Sequence, residues 1–253
     1  MRWFLFLAVT SICLAPSSLW SVIAYPEWFL SPYKYPDVIT GYSYNGLSAR
    51  EDAVHMLAAY SDCIVKGPLE IFDYPHSNDV LKNSNYYYWF SQESADSLRP
   101  YLLSLGRYDT DLLTRDYIEA FALDSLSLDS VPVLNVQEIK PPKWLNQTFF
   151  EGAEYYYGIG MYTSMGRDND AWKTAEEQAV FAILTNLAVN VHNIKILAES
   201  EEPQEGFTDI SFLGLFFHLQ NIEIVQRYPD NRSQLFYVLA RIRKSNVRSP
   251  LLK

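Results

Sequence analysis

The sequence predicts an α+β protein in which two helix-on-antiparallel-sheet modules follow one another in tandem behind a signal peptide. Three observations carry that expectation. A single positive charge, Arg2, precedes an apolar run that starts at Trp3 and reaches Ala15. Each half of the remaining chain then offers a glycine-marked strand, an alanine-striped helix and a closing pair of strand-like segments, in the same order. Pro141-Pro142 lies between the halves, and two adjacent residues without backbone donors suit a linker better than a strand interior.

Residues 1–24 read as the signal peptide. A short positive start followed by about 7–15 apolar residues is the export pattern, whereas a membrane-spanning helix wants about 20. Pro16 interrupts the run short of that length. Val22-Ile23-Ala24 supplies small side chains at the two positions a signal peptidase reads, which places the cut before Tyr25. Cys13 follows Ile12, not the small residue that a lipoprotein cleavage box requires, and this argues against a lipid anchor. Cleavage leaves Cys63 as the one cysteine, so no intramolecular disulfide forms and stability must come from packed cores. Export without disulfides fits the periplasm or outer membrane of a bacterium better than a small stapled secreted domain.

The first module, residues 25–140, opens on Pro26-Glu27-Trp28-Phe29 and a strand at 38–44 around Gly41. Ser48-Ala49-Arg50-Glu51 is a capping box, in which the serine caps the helix and the glutamate reaches back to its free amide. The expected helix runs to about Ile64, with Ala49, Ala53, Leu57 and Tyr60 on one side, and Gly67-Pro68 ends it. Cys63 falls on the core face of that helix as an inert buried thiol. An aromatic segment at 85–91 and a helical insertion around 95–105 follow, and 118–123 with 133–139 reads as the closing hairpin.

The second module, residues 141–253, is easier to read. Pro142-Lys143-Trp144-Leu145 opens it, and 155–161 is an aromatic strand around Gly158 and Gly160. A helix over about 170–189 carries Ala171, Ala175, Ala179, Ile183 and Leu187 on one stripe, small enough to lie close on a sheet, with Glu176, Glu177 and Gln178 on the polar side. Asp168 and Asn169 fit as its caps. A long apolar segment at 210–219 comes next. The pair 222–228 and 235–243 flanks the turn residues Pro229-Asp230-Asn231-Arg232 and reads as a hairpin.

Pro142 with Trp144, the Tyr157-Gly158-Ile159-Gly160 strand, the alanine helix and the hairpin from Gln226-Arg227-Tyr228 to Tyr237-Val238-Leu239 together resemble the Lpp-twenty-type bacterial surface-lipoprotein family. That family is similar in turn to domains of the flagellar accessory proteins FlgP and FlgT. The likeness covers roughly residues 141–245, with a fainter echo over 25–140. It implies a helix on an antiparallel sheet, an envelope location, a link to motility or surface structures, and no known chemistry.

The residues themselves point away from catalysis. Nucleophile elbows, Walker loops and zinc-protease helices are missing from the sequence, and Gly158-x-Gly160 lacks the third glycine of a dinucleotide fingerprint. No cofactor is expected. The four histidines lie far apart in sequence without carboxylates at ligand spacing, and neither Asp109-Thr110-Asp111 nor Asp168-Asn169-Asp170 has the glycine and distant glutamate of a calcium loop, so no metal is expected either. With 20 basic against 30 acidic side chains, a nucleic-acid partner is disfavoured, because such binding depends on neutralising phosphates.

What remains is binding. Tyr86, Tyr88, Tyr155 and Tyr157 belong to aromatic strands whose alternation must turn some rings away from the core, where they can meet a protein partner or a glycan. Arg241, Arg243, Lys244 and Arg248 concentrate positive charge at the carboxyl end, suited to an anionic membrane surface or an acidic partner, or else to neutralising the acidic stretch before it. The expected function is therefore a non-catalytic cell-envelope protein acting as a partner-binding or assembly platform. A glycan-binding module is the alternative, and a hydrolase built on scattered carboxylates is the weakest reading.

Overall fold

A computed structural model of the chain describes residues 24–44, 46–74, 77–81, 87–111, 115–124, 128, 131–164, 166–199 and 209–249. At 67–74, 77–81, 87–89, 111, 189–199 and 209–215 it describes the main chain alone. Of the expected signal peptide only Ala24 falls within these residues, and Tyr86 lies outside them.

The first half begins with β1 (Ala24–Pro26), the single turn α1 (Glu27–Leu30) and β2 (Ile39–Tyr42). Next comes α2 (Ala49–Ser61), whose capping box forms as the sequence implies: the Ser48 hydroxyl accepts from the Glu51 amide, and the Glu51 carboxylate accepts from the Ser48 amide. The helix stops at Ser61, short of the expected Ile64, and β3 (Asp62–Tyr74) starts at once. Branched Ile64 and Val65 favour a pleated chain, and a strand of the other half is there to pair with them. Cys63 is thus buried on a strand and not on a helix.

Gly67-Pro68, expected to end the helix, instead lies inside β3. On that side β4 (Ser77–Leu81) pairs from Glu70 onward and β5 (Tyr87–Trp89) pairs as far as Lys66. Pro68 falls in the gap between them on that edge, while on the other edge it stands opposite Gly214 of the second half.

The helical insertion is shorter than expected. α3 (Gln92–Leu98) gives way to a tight turn at Pro100, and β6 (Leu103–Asp111) makes the closing hairpin with β7 (Asp116–Ala122). The expected partner segment at 133–139 contributes only β8 (Val133–Asn135), which pairs with β1. The short connection from β6 to β7 decides this, since it holds those two strands together more cheaply than a loop reaching to 133.

The second half contains β9 (Phe149–Glu151), β10 (Tyr155–Thr163), α4 (Asp168–Glu199), β11 (Asp209–Gln220), β12 (Glu223–Asp230), β13 (Leu235–Arg243) and β14 (Val247–Arg248). α4 runs past 189 because no glycine or proline interrupts the sequence before Glu199.

All strand pairs are antiparallel, and the α+β class holds. One sheet has the order β2-β7-β6 and carries α2; another has the order β12-β13-β10-β9 and carries α4. In each, the strand before the helix pairs with the second strand of that half's hairpin, β6–β7 or β12–β13. The strands that follow the two helices, β3 and β11, pair with each other, Cys63 opposite Leu219, in the sheet β14-β11-β3-β4 with β5 alongside. The sheets differ in one respect: β10 has β9 on its outer edge, whereas no described strand pairs with that edge of β2.

Close helix–strand approach recurs in both halves. A Cβ on Gly160 would fall 1.9 Å from the Ala175 carbonyl oxygen, and one on Gly41 would fall 1.9 Å from that of Ala49, so only glycine fits. Ala171, Ala175 and Ala179 are buried against the sheet, as the stripe predicts. Between the halves sits an aromatic core. The Trp172 ring, fully buried, meets Tyr25, Phe29 and Phe236 edge-on at 4.7–5.8 Å, a favoured aromatic geometry.

Candidate binding site at the seam between the halves

Four charged side chains are buried where the halves meet. Lys173 of α4 donates to Asp52 of α2 at 2.7 Å, and the other Asp52 oxygen accepts the Tyr42 amide at 3.0 Å. One turn further along α4, the Glu176 carboxylate accepts from Arg227 Nε at 3.0 Å, from Arg227 Nη2 and from the Tyr42 hydroxyl, while Tyr60 donates to its second oxygen at 3.3 Å. Arg227 Nη1 reaches the Phe29 carbonyl at 2.7 Å, and its guanidinium lies 4.5 Å over the Phe29 ring. Glu176, expected on the polar side of its helix, is therefore a core residue.

The charges tune one another. Burial alone pushes the Glu176 carboxyl up, but Arg227 and Lys173 outweigh it and hold the group below the usual carboxylate range. Burial pushes Asp52 up, against the opposing pull of Lys173. Burial likewise raises Glu177, against the weaker opposing pull of Lys173.

The start of α4 forms a second junction. Asn169, expected as a cap, instead donates to the carbonyls of Ser43 at 2.8 Å and Tyr117 at 3.1 Å, and accepts from Thr110 at 2.9 Å. Asp168 remains in the first turn, accepting from Ser164 at 3.0 Å. Arg167 beside them grips Asp116 through two guanidinium nitrogens.

Above the Glu176–Arg227 pair opens a recess of about 350 Å³. Its walls are the outer edges of β2 and β12, with Met56 and Leu57 of α2 on one side and Tyr33 and Tyr35 at the mouth. The ionised groups that line it are spent on each other: Glu176 on Arg227, and Glu223 on Arg241 at the rim, 2.7 Å from Nε. What faces the space is chiefly ring and aliphatic surface with hydroxyl and main-chain groups between.

Tyr155, Tyr157, Arg241 and Arg243 gather on the face of the second sheet turned away from α4, with Arg241 also reaching the recess rim. Tyr155 pairs with Arg243 and Tyr157 with Arg241 across the β10–β13 ladder. Phe150 of β9 stacks on Tyr157 at 4.5 Å with the rings 9° apart, and Arg241 and Arg243 lie 4.6 and 5.3 Å over Tyr155. Each tyrosine thus has at least one ring face covered by this chain's own groups. Lys244 pairs with Glu151, and Arg243 lies 3.8 Å from Glu154. Arg248 stands apart on β14, opposite His218. Tyr88 is in β5, opposite Val65 and remote in sequence from the rest.

The remaining titratable candidates stay separate. His218 Nε2 lies 2.6 Å from Asp62, a pair that only the β3–β11 ladder creates, and no group of three ligand-type side chains could hold a metal among the described residues. Burial pushes the Cys63 thiol up to about 12, which leaves it protonated and a poor nucleophile at neutral pH.

Of the binding candidates read from the sequence, Arg241 reaches the recess, at its rim. Tyr60 and Leu57 were marked as one side of α2, but Arg227 carried no visible sign of being a core residue. Compared with protein-family models, with curated proteins and with solved structures, the chain matches none.

Proposed function

We propose that the chain is an exported, non-catalytic cell-envelope protein that holds a protein partner in the seam recess, as an assembly platform. The observation that carries this reading is the recess itself: apolar and aromatic walls around a floor whose acids and bases are already paired. A hydrolytic site needs a carboxylate or imidazole free to move a proton at the substrate, and Glu176 and Glu223 are both engaged. A concave, mostly apolar site with a few polar groups suits binding. The leader-like residues 1–24 support export, and the resemblance to the Lpp-twenty-type family supports an envelope role. The shared sheet order of the halves supports an origin by duplication. A glycan reading of Tyr155 and Tyr157 has less support, since Phe150 stacks on Tyr157 and Arg241 and Arg243 lie over Tyr155, where a sugar would compete with them.

The test places a photo-crosslinking phenylalanine analogue at Tyr33, 54% exposed at the mouth, and at Tyr101, 66% exposed and away from the recess. Irradiated envelope fractions should give one discrete protein adduct from position 33 that excess wild-type chain suppresses. No adduct, or the same adducts from position 101, would remove the recess as the binding site.

A further inference from the structure

The geometry points to strand addition: the partner, if held as proposed above, enters the recess as an extended peptide that pairs with the free edge of β2. The chain itself contains the precedent. β2 and β10 occupy the same place in their sheets, each preceding its helix and pairing with the second strand of its half's hairpin, β7 or β13. The outer edge of β10 is covered by β9, with Phe149 opposite Gly158 and Phe150 opposite Tyr157. The corresponding edge of β2 has no strand among the described residues, and the recess lies against it, with Ile39 and Thr40 in its wall.

The local sequence explains why the chain does not fill this edge by itself. In the second half, residues 147–151 run directly from the Trp144 turn into β9. In the first half, the segment after Trp28 contains Pro32 and Pro36, and it turns away as a short helical stretch, Pro32–Lys34, that packs against β12. Proline cannot supply the regular donors of a paired strand.

The edge is chemically able to accept one. Along an antiparallel strand, alternate residues direct their main-chain groups to opposite sides. Ser43 donates its amide to Tyr117 of β7, and Tyr42 turns its amide the other way, to Asp52. Thr40, two residues before Tyr42, therefore directs its N–H and C=O away from β7, on the side of the recess. A peptide at this edge gains main-chain hydrogen bonds for affinity and places alternate side chains in pockets for specificity, as in other cases of strand addition. The side chain entering the recess faces Met56, Leu57 and Tyr60, so it is apolar or aromatic, as Phe149 and Phe150 are on β10. Pairing at the rim between Glu223 and Arg241 leaves no net charge there to select a charged residue.

The probe is a synthetic peptide with the β9 sequence, residues 146–152, added to the full chain. Amide hydrogen exchange at Thr40 should slow by about tenfold or more on binding. Thr40→Pro should abolish peptide binding with little change in the thermal midpoint, because the pairing with β7 uses the other set of main-chain groups. Where that variant fails to fold, a peptide N-methylated at alternate residues makes the same cut from the ligand side and should not bind. Unchanged exchange at Thr40, protection confined to β10, or binding indifferent to methylation each overturns strand addition. An adduct at position 33 without any effect at Thr40 overturns the strand mode and leaves the partner-binding reading standing. Loss of both results removes both.

Discussion

Arg227 and Glu176 pair at the seam with side chains 3% and 2% exposed, and Arg227 Nε lies 3.0 Å from Glu176 Oε1. The pair joins the last hairpin to α4, and through Tyr42 and Phe29 it reaches the first half of the chain. Breaking a buried pair by removing one partner strands the other charge away from water, at a cost of about 3–5 kcal/mol. Arg227→Met should lower stability by that amount in urea unfolding. The double variant Arg227→Met, Glu176→Met should lose less than the single one, because no charge is then left unpaired. A double variant that is worse than Arg227→Met would show that the pair is not isolated energetically from its neighbours.

Gly160 and Gly106 give a paired test of the helix–sheet contact. Gly160→Ala drives a methyl group against the Ala175 carbonyl and should cost about 1–3 kcal/mol by overpacking. Gly106→Ala meets nothing within 4 Å and should leave the denaturation midpoint unchanged or slightly higher. Equal effects at the two positions would contradict the close approach of α4 to β10.

Glu177 should give the seam a pH dependence of unusual sign. Burial raises its carboxyl above the ordinary value of 4.5, so the folded chain holds that proton more tightly than the unfolded chain does. The associated stability is present below the unfolded value and is lost as pH rises through the folded one. Glu177→Gln should therefore raise the thermal midpoint at neutral pH and give no advantage at roughly pH 4, where the wild-type carboxyl is protonated. Glu176 acts in the opposite direction. Its carboxyl is held low, so its contribution is present above the unfolded value and is lost on acidification through the folded value.

The proposed export makes a prediction that stability measurements do not touch. Mass spectrometry of the protein from its native source should find an amino terminus at Tyr25. An intact Met1 end, or a lipid on Cys13, would contradict cleavage at Ala24.

The parts of the fold legible in the sequence are those set by local rules. The Ser48–Glu51 capping box, the alanine stripe of α4 and the β12–β13 hairpin each depend on residues close together, and each formed. The hairpin has Pro229 and Asp230 paired in β12 and its turn two residues later than expected, at 231–234. The failures occurred where pairing between distant segments decides. Cys63 left its expected helix for β3, whose partner β11 lies in the other half, and the segment at 133–135 found β1 in place of the strand before it. Arg227 shows the limit for the site. The ladder between β12 and β13 shifts register between Ile224 and Gln226, and the bulge brings Ile224 and Arg227 to the same face despite their odd spacing. Simple alternation from Ile224 would send Arg227 to the outer face, so the residue that closes the recess floor could not be found from periodicity.

The pairing of β3 with β11 also sets a timetable for folding. A ribosome delivers Asp62–Tyr74 early, yet its partner, Asp209–Gln220, emerges only after most of the chain has been made. Until then the first half has an open sheet edge, the kind of surface on which unfinished chains associate with one another. Long-range pairing of this sort makes for slow folding. The first half produced alone should therefore aggregate, and the second half supplied in trans should rescue it by providing β11.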